Sequence, residues 1–302
     1  MIDKDFLQKL IKKPENITEL SFESITEILK QVKTFFEKEN LLLEFDLNES
    51  EKAVVIGDIH GNLETLIKLV EIINEEKPKP KYIIFLGDIV DRGPKQLECL
   101  IFVYALKILN PQSVYILKGN HETFEMNKAY GFYYDFINKF KDYKKFNKIL
   151  SVYKVLPYCA IVNKSILCLH GGIPEDFEII KKIKGLKANE ISQDIAKSIW
   201  DGLNQIIWND PKETVKKFSD SFRGPGIKFF GEEAFNGFMD NNNLKYLIRV
   251  HEAFPEGYRW FFDDRLLSIF SSANYRQDLF DVNSASYAII VNNEIYPNII
   301  EL

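Results

Sequence analysis

Ala53-Val54-Val55-Ile56-Gly57-Asp58-Ile59-His60-Gly61 is the stretch whose reading decides the fold. Its first four residues are an apolar run of strand length, and the glycine that follows ends it. Asp58 and His60 stand two positions apart just beyond, so in extended backbone their side chains leave on the same side. An acid and an imidazole placed this way suit two ligands of one metal.

The same pattern recurs outward from this stretch. Tyr82–Leu86 runs into Gly87-Asp88-Ile89-Val90-Asp91-Arg92-Gly93, and Val114–Leu117 runs into Gly119-Asn120-His121-Glu122. Ile166–Leu169 ends in His170-Gly171-Gly172, and Leu247–Val250, which contains Arg249, ends in His251-Glu252. All four histidines of the chain fall in these clusters. Short uninterrupted apolar runs predict strands buried on both faces. Leu63–Ile73 and Gln96–Leu109, apolar at helical spacing, separate the first three runs, which predicts βαβ units and a mainly parallel opening to the sheet. Every polar cluster then sits at the carboxyl end of a strand, the edge where ligands of open α/β sheets gather.

The flanking regions complete an α/β domain spanning residues 1–302. Residues 1–48 read as helices, with Phe6, Leu7, Leu10 and Ile11 at helical spacing and Ser24 opening a second run, and are expected to form a cover over the core. Residues 123–150 read as helix, with the aromatic stretch Tyr130–Phe140 as packing. Residues 253–302 alternate apolar and polar positions around turns, which predicts antiparallel strands and a second sheet closing a sandwich. At 302 residues and 46% hydrophobic, the chain can bury a large core without a second folding unit.

Composition excludes several function classes. With 39 basic residues interspersed among 44 acidic ones, the net charge is −5, and no basic face points to nucleic acid. Cys99, Cys159 and Cys168 are odd in number and lie in or beside apolar runs, which predicts buried thiols and a reducing, cytoplasmic setting. The charged start Met1-Ile2-Asp3-Lys4-Asp5 lacks the pattern of a signal peptide, and Lys107 interrupts the best membrane candidate, Cys99–Leu109.

The clusters suggest a chemistry. A carboxylate with two oxygens can bridge two cations roughly 3.5–4 Å apart, and Asp88 is the candidate bridge. Asn120, His170 and His251 would complete the second cation's shell, while mixed N/O donors suit manganese, iron or zinc. Two divalent cations, less two ligand carboxylates and a bridging hydroxide, leave a centre of about +1 that attracts a phosphate dianion. Water on such a centre loses its proton at roughly neutral pH, so solvent supplies the nucleophile. Arg92 and Arg223 are the candidate phosphate forks. Adjacent residues beyond a strand diverge, so His121 beside Asn120 is a poor ligand and a better general acid, with Asp91 as its partner. Glu122 and Glu252 read as supporting groups. Any one of these clusters is a weak signal; five at five strand ends, using every histidine, are not.

In this combination and order the motifs resemble the phosphoprotein phosphatases, the metal-dependent serine/threonine protein phosphatases of eukaryotic type. Tyr130-Gly131-Phe132-Tyr133, Leu156-Pro157, Trp208-Asn209-Asp210-Pro211 and Arg223-Gly224 carry the likeness beyond the metal ligands, over nearly the whole chain from about residue 20. The resemblance implies a calcineurin-like metallophosphoesterase fold, a central β-sandwich of mixed sheets flanked by helices. It implies that Asp58, His60 and Asp88 hold one metal and that Asp88, Asn120, His170 and His251 hold the other. His121 with Asp91 would be the proton donor, and Arg92, Asn120, Arg223 and Tyr275 would contact phosphate. The implied partners are phosphoprotein substrates and regulatory or targeting subunits. A dinucleoside polyphosphate hydrolase shares the first clusters and is the rival enzyme; the segments at Trp208 and Arg223 favour the phosphatase. An inactive scaffold would have no reason to retain all six ligands. The chain departs from the family at three places. Lys118 replaces an arginine, which weakens a supporting ion pair. Ser272-Ala273-Asn274-Tyr275-Arg276 is a shortened loop without a cysteine, and Asp176–Ile199 is a Lys- and Ile-rich segment where substrate choice can differ.

Overall fold

The computed structural model describes residues 2–191, 196–275 and 283–302. Helices α1 (Lys4–Lys12) and α2 (Phe22–Phe36) lead to β1 (Leu42–Phe45), β2 (Lys52–Ile56), α3 (Leu63–Glu75), β3 (Tyr82–Phe85), α4 (Gln96–Leu109) and β4 (Val114–Ile116). Next come α5 (Phe124–Tyr130), α6 (Phe132–Phe140), α7 (Asn147–Tyr153), β5 (Cys159–Val162), β6 (Ile166–Leu169), α8 (Ile179–Ile183) and α9 (Ala196–Trp208). The remainder holds β7 (Asp210–Pro211), β8 (Phe218–Asp220), β9 (Lys228–Phe230), α10 (Glu232–Asn241), β10 (Tyr246–Arg249), β11 (Tyr258–Phe261), β12 (Leu266–Ile269), β13 (Ala285–Val291) and β14 (Glu294–Ile300).

Two sheets form the sandwich, in the orders β14-β13-β2-β3-β4 and β1-β5-β6-β10-β12-β11. The opening is parallel as expected, with Val55 opposite Ile84 and Phe85 opposite Ile116. The C-terminal strands then add antiparallel partners, β13 against β2 and β14 against β13. Alternate residues explain why the strands read as unbroken apolar runs. Val55, Ile84, Leu86 and Ile290 meet Ala160, Cys168, Ile248 and Leu267 between the sheets. Val54, Ile56 and Phe85 face the other way, onto Ile28 and Phe36 of α2 and Leu100 and Val103 of α4. Leu167, Leu169 and Leu247 likewise face Ile179, Leu203 and Phe235 of the second helical layer. Burying such a side chain contributes roughly 1.5–3 kcal/mol, so in a four-residue strand covered on both faces any polar position is costly.

Three sequence expectations are corrected. Residues 1–48 are not wholly helical, because Leu42–Phe45 is an edge strand pairing parallel with β5; four residues with one polar position, Glu44, cannot be told from a helix fragment by periodicity. Helix α2 starts earlier than Ser24, since Ser21 is the N-cap and its Oγ accepts from the Ser24 amide at 3.2 Å. Residues 123–150 hold three α-helices and a 3-10 turn (Tyr143–Phe146), with breaks at Gly131 (φ 118°) and Lys141 (φ 53°). No helix among the described residues is long and apolar enough to cross a membrane. Cys99, Cys159 and Cys168 are free and buried, as read.

Candidate active site

The carboxyl ends of β2, β3, β4, β6 and β10 meet at one edge of the sandwich, and the backbone there is bent into unusual conformations. His60, Asp88, Asp91, Arg92 and His251 have φ values of 47°, 53°, 68°, 76° and 79°, in the left-handed region that L-residues avoid. Clustered strain of this kind persists only where surrounding contacts impose it, and it is concentrated at functional sites. Glu122 imposes much of it: its carboxylate accepts from the amides of Asp88 (2.8 Å), Ile89 (3.1 Å) and Gly119 (2.9 Å). Gly87 makes the crossing possible, because a Cβ there would lie 2.2 Å from the Gly119 nitrogen.

Two groups of ligand atoms result, His60, Asp88 and His121, and Asp88, His170 and His251, each with its atoms within 4.8 Å of one another. Asp88 belongs to both, the position expected of the bridge. His60 Nε2 lies 3.6 Å from Asp88 Oδ2 and 3.7 Å from Asp58 Oδ2. His170 Nε2 lies 3.4 Å from Asp88 Oδ2, 3.0 Å from Asn120 Oδ1 and 3.1 Å from His251 Nδ1. The six residues read as ligands are thus together. His60 Nδ1 and His170 Nδ1 bond the carbonyls of Val90 (3.0 Å) and Leu86 (2.9 Å), which puts the proton on Nδ1 and leaves Nε2 a lone pair facing the carboxylates.

The electrostatics fit divalent cations. Asp58 and Asp88 are each 1% exposed. Burial, reinforced by Asp88, raises Asp58 to about 8, and burial raises Asp88 well above the carboxylate range. Burial also lowers His60 and His251 far below the imidazole range and His170 to a lesser degree, holding them neutral as ligands must be. Asp58 Oδ2 and His251 Nε2 are buried without a hydrogen-bond partner among the described residues. Deeply buried carboxylates, neutral imidazoles and orphaned donor atoms are what a divalent-metal centre requires of its protein.

His121 shares the first group but differs from His60 in its support, a buried carboxylate in place of a backbone carbonyl. Its Nδ1 is 2.7 Å from Asp91 Oδ2, and its Nε2 is 3.9 Å from Asp88 Oδ2. Asp91 is itself held by Asn127 Nδ2 (2.8 Å) and the Phe132 amide (3.0 Å), while burial lifts its carboxyl to about 6. Arg92 sits over the Tyr130 ring, with Cζ 3.8 Å from the centroid. Arg223 is anchored through Nε to Asp210; burial lowers His121 and His251 well below the imidazole range, and the Arg223 charge adds to both shifts. Tyr275 stacks on His60 at 5.1 Å and 20°.

Several supporting residues escaped the sequence reading. Arg249, given no role by the sequence beyond its place before His251, is fully buried and committed to Gly171 O (2.6 Å), Asp210 (2.7 Å) and Glu252 (2.9 Å). Asp210 therefore clamps two arginines, a role that nothing in its neighbourhood of sequence signals. Tyr130 was read as packing and instead carries Arg92; Asn127 had no signal at all. Lys118 makes no ion pair among the described residues: its Nζ donates to the Tyr153 carbonyl at 2.9 Å, and burial lowers it to about 8. In the Asp176–Ile199 segment, Ile179 and Ile183 are core and residues 192–195 lie outside the described residues, as does Arg276 of the shortened loop.

The comparisons with known proteins agree with this geometry. The family model for calcineurin-like phosphoesterases matches residues 52–255. Serine/threonine-protein phosphatase 4 catalytic subunit of Saccharomyces cerevisiae is 34% identical, the match covering 79% of this chain and 75% of that protein. Serine/threonine-protein phosphatase 5 of Homo sapiens is 32% identical over 97% of the chain and 56% of its own length. Serine/threonine-protein phosphatase rdgC of Drosophila melanogaster is 30% identical over 83% of the chain and 39% of its length, so the chain spans only about half of these two relatives. A solved Saccharomyces cerevisiae protein serine/threonine phosphatase, described as similar to human PP5, superposes with a TM-score of 0.86 at 25% identity, covering 100% of this chain and 96% of that one.

Proposed function

The chain belongs to the calcineurin-like phosphoesterases and within them to the serine/threonine protein phosphatases, and on that premise we propose that it hydrolyses phosphoserine and phosphothreonine in proteins. One juxtaposition carries the reading. His121, bound through Nδ1 to Asp91 at 2.7 Å, holds Nε2 3.9 Å from the carboxylate common to both ligand groups. An imidazole backed by a carboxylate thus stands beside the residue shared by both ligand groups, the placement that proton donation to the leaving oxygen of an alkyl phosphate calls for.

In this proposal Asp58, His60 and Asp88 would hold one cation and Asp88, Asn120, His170 and His251 the other. When bound, the two cations supply a nucleophile from water at neutral pH and withdraw charge from the phosphoryl group. Arg92, Arg223 and Asn120 receive the phosphate oxygens, with Tyr130 and Asp210 fixing the two guanidinium planes and Tyr275 closing the side at His60. His121 gives its proton from Nε2 to the departing serine or threonine oxygen, and Asp91 stabilises the imidazole before and after the transfer. We take residues 1–302 as one catalytic domain whose N-terminal helices α1 and α2 cover the core ahead of edge strand β1, acting in the cytoplasm on phosphoprotein substrates and open to regulatory or targeting subunits. Manganese suits the mixed N/O donors and is the metal of choice for reconstitution, with iron and zinc as alternatives.

The test is a manganese-reconstituted assay of phosphoserine peptides beside diadenosine tetraphosphate. The proposal expects turnover of the peptides; turnover of diadenosine tetraphosphate alone would transfer the site to the dinucleoside polyphosphate hydrolases. Within the same assay Arg223→Ala should lower kcat/KM for phosphopeptides by about 10–100-fold, the loss of one charge-assisted pair of roughly 1.5–3 kcal/mol, while bound metal stays at two equivalents. Unchanged kinetics would return Arg223 to the role of a loop cation.

A further inference from the structure

Phe222 is 86% exposed, more than any other large apolar side chain among the described residues. Exposure alone would mean nothing, since single apolar side chains are common on surfaces. Its position is what matters. Arg223, its neighbour in the chain, leans on Asp210, and Phe222 leans edge-on against Phe229, with ring centroids 5.3 Å apart at 63°. Asp210 and Phe229 are register partners in the parallel pair β7–β9, so their side chains leave the same face of that small sheet. Arg223 and Phe222 therefore project over one face, side by side. Lys212 Nζ sits 4.3 Å from the centroid of Phe229, so the ring beneath Phe222 is itself held between neighbours.

From this arrangement we infer that Phe222 is a specificity-determining contact, which takes an apolar side chain immediately flanking the phosphorylated residue of the substrate. The inference rests on the protein phosphatase reading of the site. Successive Cα atoms of a peptide lie about 3.8 Å apart, so a phosphoserine whose phosphate reaches Arg223 brings a flanking side chain to Phe222. An aromatic ring open to water recovers its hydrophobic free energy only when such a side chain covers it. The continuity with the phosphate site is what distinguishes Phe222 from the other exposed aromatics.

The experiment uses the metal-reconstituted full chain and phosphoserine peptides that differ only in carrying Leu, Gly or Asp immediately before or after the phosphoserine. Wild type should favour Leu over Gly by roughly tenfold in kcat/KM at one of the two positions, expressed mainly in KM. Phe222→Ala should bring that ratio to about one, and Phe222→Leu should retain most of it. Because each ratio compares two peptides on one preparation, a general loss of folding or metal cancels. A preference for Asp, no preference in wild type, or a preference that survives Phe222→Ala would overturn the inference while leaving the phosphatase reading intact. Turnover of diadenosine tetraphosphate but of no phosphopeptide would overturn both.

Discussion

Asp88→Asn should lose metal and turnover together. Asp88 is the one residue common to both ligand groups, so its replacement weakens both cations, whereas replacing Asp58 or His251 weakens one. The substitution is isosteric, and Asn can still accept from the His121 amide, which Asp88 Oδ1 now does at 2.9 Å. What changes is the other atom. Oδ2 lies 3.6 Å from His60 Nε2 and 3.4 Å from His170 Nε2. An amide nitrogen there cannot ligate a cation, and it would donate to the imidazole lone pairs that should. We expect bound metal below one equivalent and a fall in kcat beyond the roughly 10–100-fold typical of changes to groups that merely orient ligands. Without metal the variant should be no less stable than wild type, because the mutation removes a buried charge that burial already drives towards protonation. With metal, wild type should gain thermal stability and the variant should not. Elemental analysis showing two full equivalents with normal turnover would remove Asp88 from the bridge.

The fold was legible because its strands are buried on both faces. Val54 and Val55 point into different apolar clusters, so both had to be apolar, and a run of that kind followed by Gly57 announces a strand and its end. Edge strand β1 was not legible for the converse reason. Glu44 is exposed in it, and a single exposed position among Leu42, Leu43 and Phe45 gives no period to distinguish it from the helices before it. The division of residues 123–150 depended on Gly131 and Lys141 taking positive φ, which composition does not dictate at a lysine.

The ligands could be read because each lies within a few residues of its strand, where position along the chain is position in space. The supporting residues could not, because they act across it. Asn127 reaches back to Asp91, 36 positions away, and Asp210 reaches forward to Arg249, 39 positions away. Arg249 shows the same limit: its place beside His251 in the sequence gives it no role, whereas in the fold its fully buried guanidinium is spent on the carboxylates and carbonyls around it. Glu122 was read as a supporting group, but its three backbone partners, and hence its part in bending the Asp88 turn, required the crossing of β3 and β4 to be known.

His121→Asn should separate substrates by their leaving groups. A serine or threonine alkoxide departs only with a proton, whereas an activated aryl phenolate leaves with little help, so the variant should lose roughly 10²–10⁴-fold on phosphoserine peptides and much less on an activated aryl phosphate. The surroundings make the substitution a clean one. The backbone amide of residue 121 keeps its bond to Asp88 Oδ1, and Asn127 still ties the residue 121 carbonyl (2.7 Å) to Asp91 (2.8 Å). Only the ring is removed, and with it the Nε2 that faces the site. On the proposed assignment metal content should hold at two equivalents, since the six ligand residues are left untouched. Asp91→Asn should show the same selectivity in milder form, since it leaves the ring in place but removes the charge that favours its protonated state. Equal loss on both substrates with metal retained would make His121 a positioning group for phosphate or water. Equal loss with metal absent would make it a ligand, and the first ligand group would then be His60, Asp88 and His121 in fact as well as in geometry.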